Sequence, residues 1–183
     1  MVVMVSGGPD SACVAAGLVE FAGAHRVHAL HVNYGLRAEA DADERLVRDL
    51  CAQLRLDLHV ERARPGTLEH GNVQAAARRL RYAAGERLRI RTGAGWIATG
   101  HTRTDVAETV LYRLAASPGT RALMGLAPRF GRVVRPLLSL SRDETRQLAL
   151  AGGLPFADDA SNRDPRYARN RIRSEVMPVL NEL

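Results

Sequence analysis

There is no lysine in this chain: all 26 basic residues among its 183 are arginine. That absence removes two mechanisms at once. A Walker A phosphate loop needs its lysine, and a Schiff base needs an amine that can lose its proton. Cysteine is nearly as scarce, with only Cys13 and Cys51, far apart and in no C-x-x-C pair. This argues against a disulfide framework, a zinc ribbon or an iron–sulfur cluster held by this chain alone, and favours two small buried hydrophobes. Long apolar runs are missing too; none approaches the roughly 18 residues of a membrane span. The apolar start at residues 1–5 has no basic flank before it and glycines directly after it, unlike a secretory signal. No membrane association is expected, and the cytoplasm is the expected compartment.

What the chain does contain is an ordinary globular balance, 46% hydrophobic and 25% charged. That suits one domain with a sizeable core, or one domain and a tail. The formal net charge of +6 is compatible with an acidic partner such as nucleic acid, and arginine offers a planar, permanently charged fork that matches phosphate. The basic residues cluster. Residues 76–91 hold six arginines against one glutamate, and residues 161–175 hold five against Asp164 and Glu175.

Short β-type runs alternate with longer helical ones. Residues 1–5 read as a buried strand, and 27–32, 56–60, 96–99 and 133–134 as four more. Helical spacing covers 10–21, 39–54, 72–90, 105–115 and 142–151, and a last helix is expected from Arg166 towards Met177, ended by Pro178. Within 39–54, Leu46, Val47, Leu50 and Leu54 share one stripe, and Ser141 with Glu144 predicts a capping box for the helix at 142–151. This alternation implies an α/β fold, doubly wound, with a mainly parallel five-stranded sheet and helices on both faces. Ligands bind such sheets at the carboxyl ends of the strands. Three polar loops fall there: residues 6–11, 33–37 and 100–105.

The first loop, Ser6-Gly7-Gly8-Pro9-Asp10-Ser11, joins a strand to a helix. Its glycines can take the positive φ that curls backbone N–H groups into an anion-binding nest, and the next helix points its positive end at the same spot. Ser6 and Ser11 add hydroxyl donors. Asp10 is an odd neighbour for phosphate unless a cation such as Mg2+ bridges them. On spacing alone, a tight turn capped by Asp10 or Ser11 is the competing reading.

S-G-G-x-D-S directly after a first strand resembles the PP-loop of ATP pyrophosphatases, which cleave ATP between the α- and β-phosphates, adenylate a substrate and use no Walker lysine. Further segments resemble the tRNA(Ile)-lysidine synthases of that superfamily. Residues 31–37, HVNYGLR, are similar to H-V-[DN]-H-G-L-R, and 72–82, NVQAAARRLRY, to N-x-[EQ]-x-x-A-R-x-x-R-Y. Residues 98–109, ATGHTRTDVAET, are similar to A-T-[AG]-H-x-x-x-D-Q-x-E-T, and 159–173 to D-x-S-N-x-D…Y-x-R-N-x-[IV]-R. Tyr34 stands where the pattern has histidine and Val106 where it has glutamine, with Asp105 and Glu108 in place. Family enzymes usually continue into further tRNA-binding domains. The expected organisation is therefore one PP-loop ATP-binding catalytic domain over 1–183, with 155–183 a basic C-terminal segment and the further tRNA-binding domains absent.

The resemblance implies an adenine nucleotide alpha hydrolase-like fold and an ATP-dependent carbon–nitrogen ligase. ATP would activate the wobble cytidine of an isoleucine tRNA with a CAU anticodon, and free L-lysine would displace AMP. ATP and Mg2+ are the implied cofactors, that tRNA and L-lysine the implied partners, and a homodimer is left open. Carried over residue by residue, ATP would meet Ser6, Gly7, Gly8, Pro9, Asp10, Ser11, His31, Asn33, Arg78 and Gly100. Catalysis would fall to Asp10, His101, Asp105 and Glu108, with Asp10 and Asp105 holding the metal. Asp105 and Glu108, three apart on one helix face, would hold lysine, whose amine titrates near ~10.4 and must lose a proton before attack. Arg81, Arg169, Arg171 and Arg173 would meet tRNA. The sequence does not divide the carboxylates between base and metal ligand. It leaves open a solvated acidic helix start, a structural His101, a tRNA thiolase using Cys13 or Cys51, and a nucleotide-binding module without catalysis.

Overall fold

A computed structural model describes residues 1–35, 40–64, 73–116, 119–157 and 168–182. Leu36, Arg37, Asn72, Arg166 and the motif at 159–167 lie outside the described residues. The elements run β1 (Val2–Met4), α1 (Pro9–Ala22), β2 (His28–Asn33), α2 (Ala40–Gln53), β3 (Asp57–Arg62), α3 (Val73–Arg91), β4 (Ile97–Ala98) and α4 (Arg103–Ala116). Then come β5 (Arg129–Phe130), β6 (Val133–Val134), α5 (Arg142–Ala151), α6 (Ala168–Arg171), a π-helical turn (Ile172–Val176) and α7 (Met177–Asn181).

The strands form one sheet in the order β3-β2-β1-β4-β6-β5. β1 pairs in parallel with β2 and β4, β2 with β3, and β4 with β6. The chain builds outward from β1 to β3 and returns to place β4 on the other side of β1. This is the reversal at which doubly wound sheets open a ligand crevice. Period-two alternation along β1 divides the core. Val3 and Val5 face α1 and α2, packing with Val14, Leu18, Val47 and Leu50; Val2 and Met4 face α3, packing with Ala84 and Leu88. Helices thus cover both faces, as the alternating pattern requires. Cys13 and Cys51 are buried in the first of these clusters as free thiols.

The sheet has six strands rather than five. β5 runs antiparallel to β6 across the two-residue link Gly131-Arg132, with Gly131 at φ +57°. Both β5 residues are exposed, so no apolar alternation marks this strand in the sequence. A second difference concerns Pro178, which does not end the last helix. The π-helical turn breaks the regular ladder at Ile172–Val176, and Pro178 then falls in the first turn of α7. There its missing N–H costs nothing. The capping box at α5 is present as expected: Ser141 Oγ accepts from the Glu144 N–H at 3.2 Å, and Glu144 Oε2 accepts from the Ser141 N–H at 2.6 Å.

Candidate functional site

β1 ends at Met4, and the chain turns through Ser6, Gly7 and Gly8 before Pro9 starts α1. Gly7 sits at φ +92°, a conformation that strains any side chain, and a Cβ there would lie 3.7 Å from the Val47 side chain of α2. Gly8 is the N-cap in extended conformation, and Pro9 occupies the first turn, where its fixed φ is pre-set for a helix. The serines lock the loop. Ser11 Oγ donates to the Gly8 carbonyl at 2.8 Å and accepts from the Ser6 N–H at 3.1 Å, with Ser6 Oγ 3.3 Å away.

Gly100, just after β4, touches this loop backbone to backbone. A Cβ there would lie 2.8 Å from the Asp10 carbonyl oxygen and 3.1 Å from the Ser11 nitrogen. Only glycine permits this approach, and it brings the ends of β1 and β4 together. Between them opens a cavity of about 260 Å³, lined by Ser6, Asp10 and Ser11, by Leu30 and Val32 of β2 and Tyr34 just beyond it, by Thr99, Gly100, His101 and Asp105 after β4, and by Arg81 and Arg142. The carboxyl ends of three strands therefore converge as the loops at 6–11, 33–37 and 100–105 led us to expect.

Charge inside the cavity is organised by Arg142, the first residue of α5. Its guanidinium donates to Asp105 Oδ1 at 3.0 Å and stands 3.4 Å from Asp10 Oδ2. Thr145, one turn further on and fully buried, donates its hydroxyl to Asp10. Burial pushes the Asp10 carboxyl above its usual range despite Thr145 and Arg142, and neighbouring Asp105 adds to the rise. Asp105 also closes α4: its Oδ2 accepts from the Thr102 N–H at 2.8 Å and hydroxyl at 3.0 Å. His101 donates or accepts through Nδ1 at 2.8 Å from the Thr99 hydroxyl. Burial lowers its pKa to about 4; Asp105 opposes this, and Arg135, Arg81 and Arg78 reinforce it. At neutral pH His101 is therefore an uncharged hydrogen-bonding group. Arg81 reaches the cavity from α3, and its Nε is buried with no partner among the described residues.

A PP-loop domain model matches residues 1–180. The chain belongs to the PP-loop family. Curated relatives named tRNA(Ile)-lysidine synthase include one from Symbiobacterium thermophilum, 44% identical over 191 residues, covering 100% of this chain and 40% of that protein. Another, from Thermus thermophilus, is 41% identical over 185 residues, covering 100% of this chain and 36% of that protein. The chain thus spans about two fifths of these relatives' length. Among solved structures, the U34-tRNA thiolase of Methanococcus maripaludis with its [4Fe–4S] cluster superposes with a TM-score of 0.70 at 18% identity, covering 100% of this chain and 72% of that one. At that identity the likeness is one of fold.

The structure brings Ser6, Asp10, Ser11, Gly100, His101 and Asp105 around one cavity in this PP-loop domain, and leaves other expected site residues elsewhere. His31 and Asn33 lie on the opposite side of β2 from Leu30 and Val32. His31 Nδ1 pairs with the Val5 carbonyl at 2.9 Å, while Asn33 Nδ2 donates to Glu44 Oε2 at 3.0 Å and its Oδ1 accepts from the Gly35 N–H at 2.9 Å. Arg78 is exposed and stacks over Tyr82, 4.7 Å from the ring centre. Glu108, 2% exposed, does not line the cavity and is held by Arg173, whose Nε and Nη2 donate to its two oxygens at 2.6 and 3.0 Å. Arg81 lines the cavity, whereas Arg169 and Arg171 are exposed, Arg169 over Tyr112 and Arg171 paired with Glu175. Tyr34 lends a cavity wall and donates its hydroxyl to the Ala77 carbonyl at 3.3 Å. Val106 packs on Gly125. Arg142, Thr145 and Thr102 are the site residues that reading the sequence passed over. The capping box at Ser141 was the available pointer to the first, because it fixes Arg142 at a helix start.

Proposed function

We propose that this PP-loop domain carries the adenylation and ligation chemistry of a tRNA(Ile)-lysidine synthase. The observation that carries the reading is the pair Asp10 and Asp105 held on one guanidinium, beside a phosphate-type loop, in a chain 44% identical to a relative of that name. In the first step the O2 oxygen of the wobble cytidine attacks the α-phosphorus of ATP, and pyrophosphate leaves. In the second, the ε-amine of lysine bonds to carbon 2, the carbon–oxygen bond breaks, AMP leaves, and the amine gives up a proton.

Each step makes an electrostatic demand that local residues answer. The N-terminus of α1 and the loop's backbone N–H groups face the place where the leaving pyrophosphate gathers charge, while the Ser6 and Ser11 hydroxyls hold the loop in shape. Arg81 Nε, without a partner among the described residues, offers a further donor to the nucleotide. Asp10 and Asp105 already share a cation in Arg142, and two hard carboxylate oxygens on one locus suit Mg2+. When bound, Mg2+ would neutralise charge on the phosphates. Asp105 holds the lysine ammonium through the oxygen now given to Arg142, and its carboxylate or nearby solvent takes the proton. Uncharged His101 supplies a hydrogen bond to the nucleotide without adding a further positive charge. Exposed arginines on α3 and α6, including Arg79 and Arg169, contact tRNA phosphates.

The thiolase reading is disfavoured by the cysteines. Both are buried, and burial raises the Cys13 thiol and pushes Cys51 to about 11, the reverse of what a sulfur nucleophile needs. The deciding experiment incubates the protein with ATP, Mg2+, lysine and a CAU-anticodon isoleucine tRNA transcript, following pyrophosphate release and lysine incorporation together. RNA-dependent release with incorporation is expected. Binding of ATP without release in the presence of all partners would reduce the domain to a nucleotide-binding module.

A further inference from the structure

A second constellation lies at the opposite end of the strands from the cavity. His28 opens β2 and Asp57 opens β3, and the parallel register pairs them directly. His59, two residues on, faces the same side of β3. Their donor atoms converge on one oxygen: His28 Nδ1 lies 3.4 Å and His59 Nε2 3.0 Å from Asp57 Oδ2. One ligand atom from each side chain falls within 4.8 Å of the other two. A tetrahedral zinc ion with bonds of about 2.0–2.1 Å sets its donor atoms roughly 3.3–3.4 Å apart. Two of the three edges of such a site are therefore close to their final length.

We propose that His28, Asp57 and His59 bind a divalent transition-metal ion of the Zn2+ class, tying the edge strand β3 to β2. Two imidazoles and one carboxylate select such ions over Mg2+, which favours oxygen donors. The ligands stand on a continuous ladder of six registered pairs, so little backbone order remains to be imposed. Side-chain exposures of 27% for His28, 65% for Asp57 and 28% for His59 leave room for water as the fourth ligand. One neighbour opposes binding. Arg91 at the end of α3 places a guanidinium nitrogen 2.9 Å from His59 Nδ1. A guanidinium only donates, so Nδ1 accepts there and Nε2 carries the proton shared with Asp57. Metal capture at Nε2 moves that proton to Nδ1, and the exposed Arg91 side chain swings away.

The test titrates Zn2+ into the purified chain against a chromogenic chelator, with thermal unfolding in parallel and Mg2+ as the contrasting ion. One Zn2+ per chain and a raised unfolding midpoint are expected, with no competition from equimolar Mg2+. His28→Ala and His59→Ala should each weaken binding by about tenfold or more, and Arg91→Gln should tighten it, because glutamine accepts from the metallated histidine's Nδ1–H. If a histidine variant does not fold, Asp57→Asn carries the same test at a more exposed position. Zinc binding that persists unchanged in these variants, or no stoichiometric binding at all, overturns the proposal.

Discussion

Replacing Arg173 by alanine tests the most deeply buried charge near the site. Glu108 is 2% exposed, and Arg173 reaches both its carboxylate oxygens, at 2.6 and 3.0 Å. Removing one member of such a pair costs about 3–5 kcal/mol, mainly because the other is left charged in a poor solvent. The Arg173 side chain keeps 25% of its exposure, and water entering the space it leaves would solvate Glu108 in part, so the lower end, about 3 kcal/mol, is expected. With a urea slope of about 2 kcal/mol per molar, the unfolding midpoint should fall by about 1.5 M. The Glu108→Gln, Arg173→Met double variant removes both charges and should recover to within about 1 kcal/mol of the parent. A single Arg173→Ala variant unfolding within about 0.3 M of the parent would refute the buried-pair reasoning. The double variant also separates structure from chemistry: stable and active, it makes the pair a fastening between α4 and the C-terminal helices; stable and unable to incorporate lysine, it returns Glu108 to the lysine site.

Three other perturbations follow from the geometry. Gly100→Ala drives a Cβ to 2.8 Å from the Asp10 carbonyl oxygen, and should cost about 1–3 kcal/mol together with ATP affinity; a thermal melt with and without ATP that shows neither loss would contradict the close approach. Arg81→Met removes from the cavity wall a buried donor that has no partner among the described residues. Because a hydrogen bond from a charged group contributes about 1.5–3 kcal/mol, ATP should bind about ten- to a hundredfold more weakly with the melting temperature little changed, and an unaltered Kd would remove Arg81 from the site. Burial holds His101 at about 4 against its ordinary 6.5, so between those values the unfolded chain takes up a proton that the folded chain refuses. Stability should therefore fall as pH drops through that window and be unaffected above it. In a pH series of urea unfolding, His101→Gln should flatten the slope, and an unchanged slope would show that other groups set it.

Local signals made much of this legible in advance. A buried strand, two glycines and a proline at a helix start define the 6–11 loop within ten residues, and the capping box of α5 is complete within four. What escaped was set by distance along the chain. Thr145 and Asp10 are 135 residues apart, and Arg142 and Asp105 are 37 apart, so no window of sequence shows either contact. β5 escaped because its two exposed residues pair with β6 through backbone alone. His31 and Asn33 teach a different lesson. Their side chains lie on the far side of β2 from the cavity, and the period-two alternation of β2 makes that legible. Once Leu30 and Val32 face the cavity, His31 and Asn33 must face α1 and α2.

The commitments of the charged groups suggest an order to the proposed reaction. Each carboxylate near the cavity is already engaged: Asp10 by Thr145 and Arg142, Asp105 by Thr102 and Arg142, Glu108 by Arg173. An incoming lysine ammonium must therefore displace Arg142 from Asp105, exchanging one ion contact for another with little net gain. The anion-binding groups are differently placed. Arg81 Nε has no partner among the described residues, and the helix start behind Gly8 carries no side-chain cap. Phosphate can occupy these groups without breaking an ion pair. It also offers Arg142 a new anion, which would draw the guanidinium off Asp105 and leave that carboxylate to the amine. In this scheme Arg142 links the two half-reactions: the nucleotide enters first because its donors are open, and its arrival prepares the carboxylate that lysine requires.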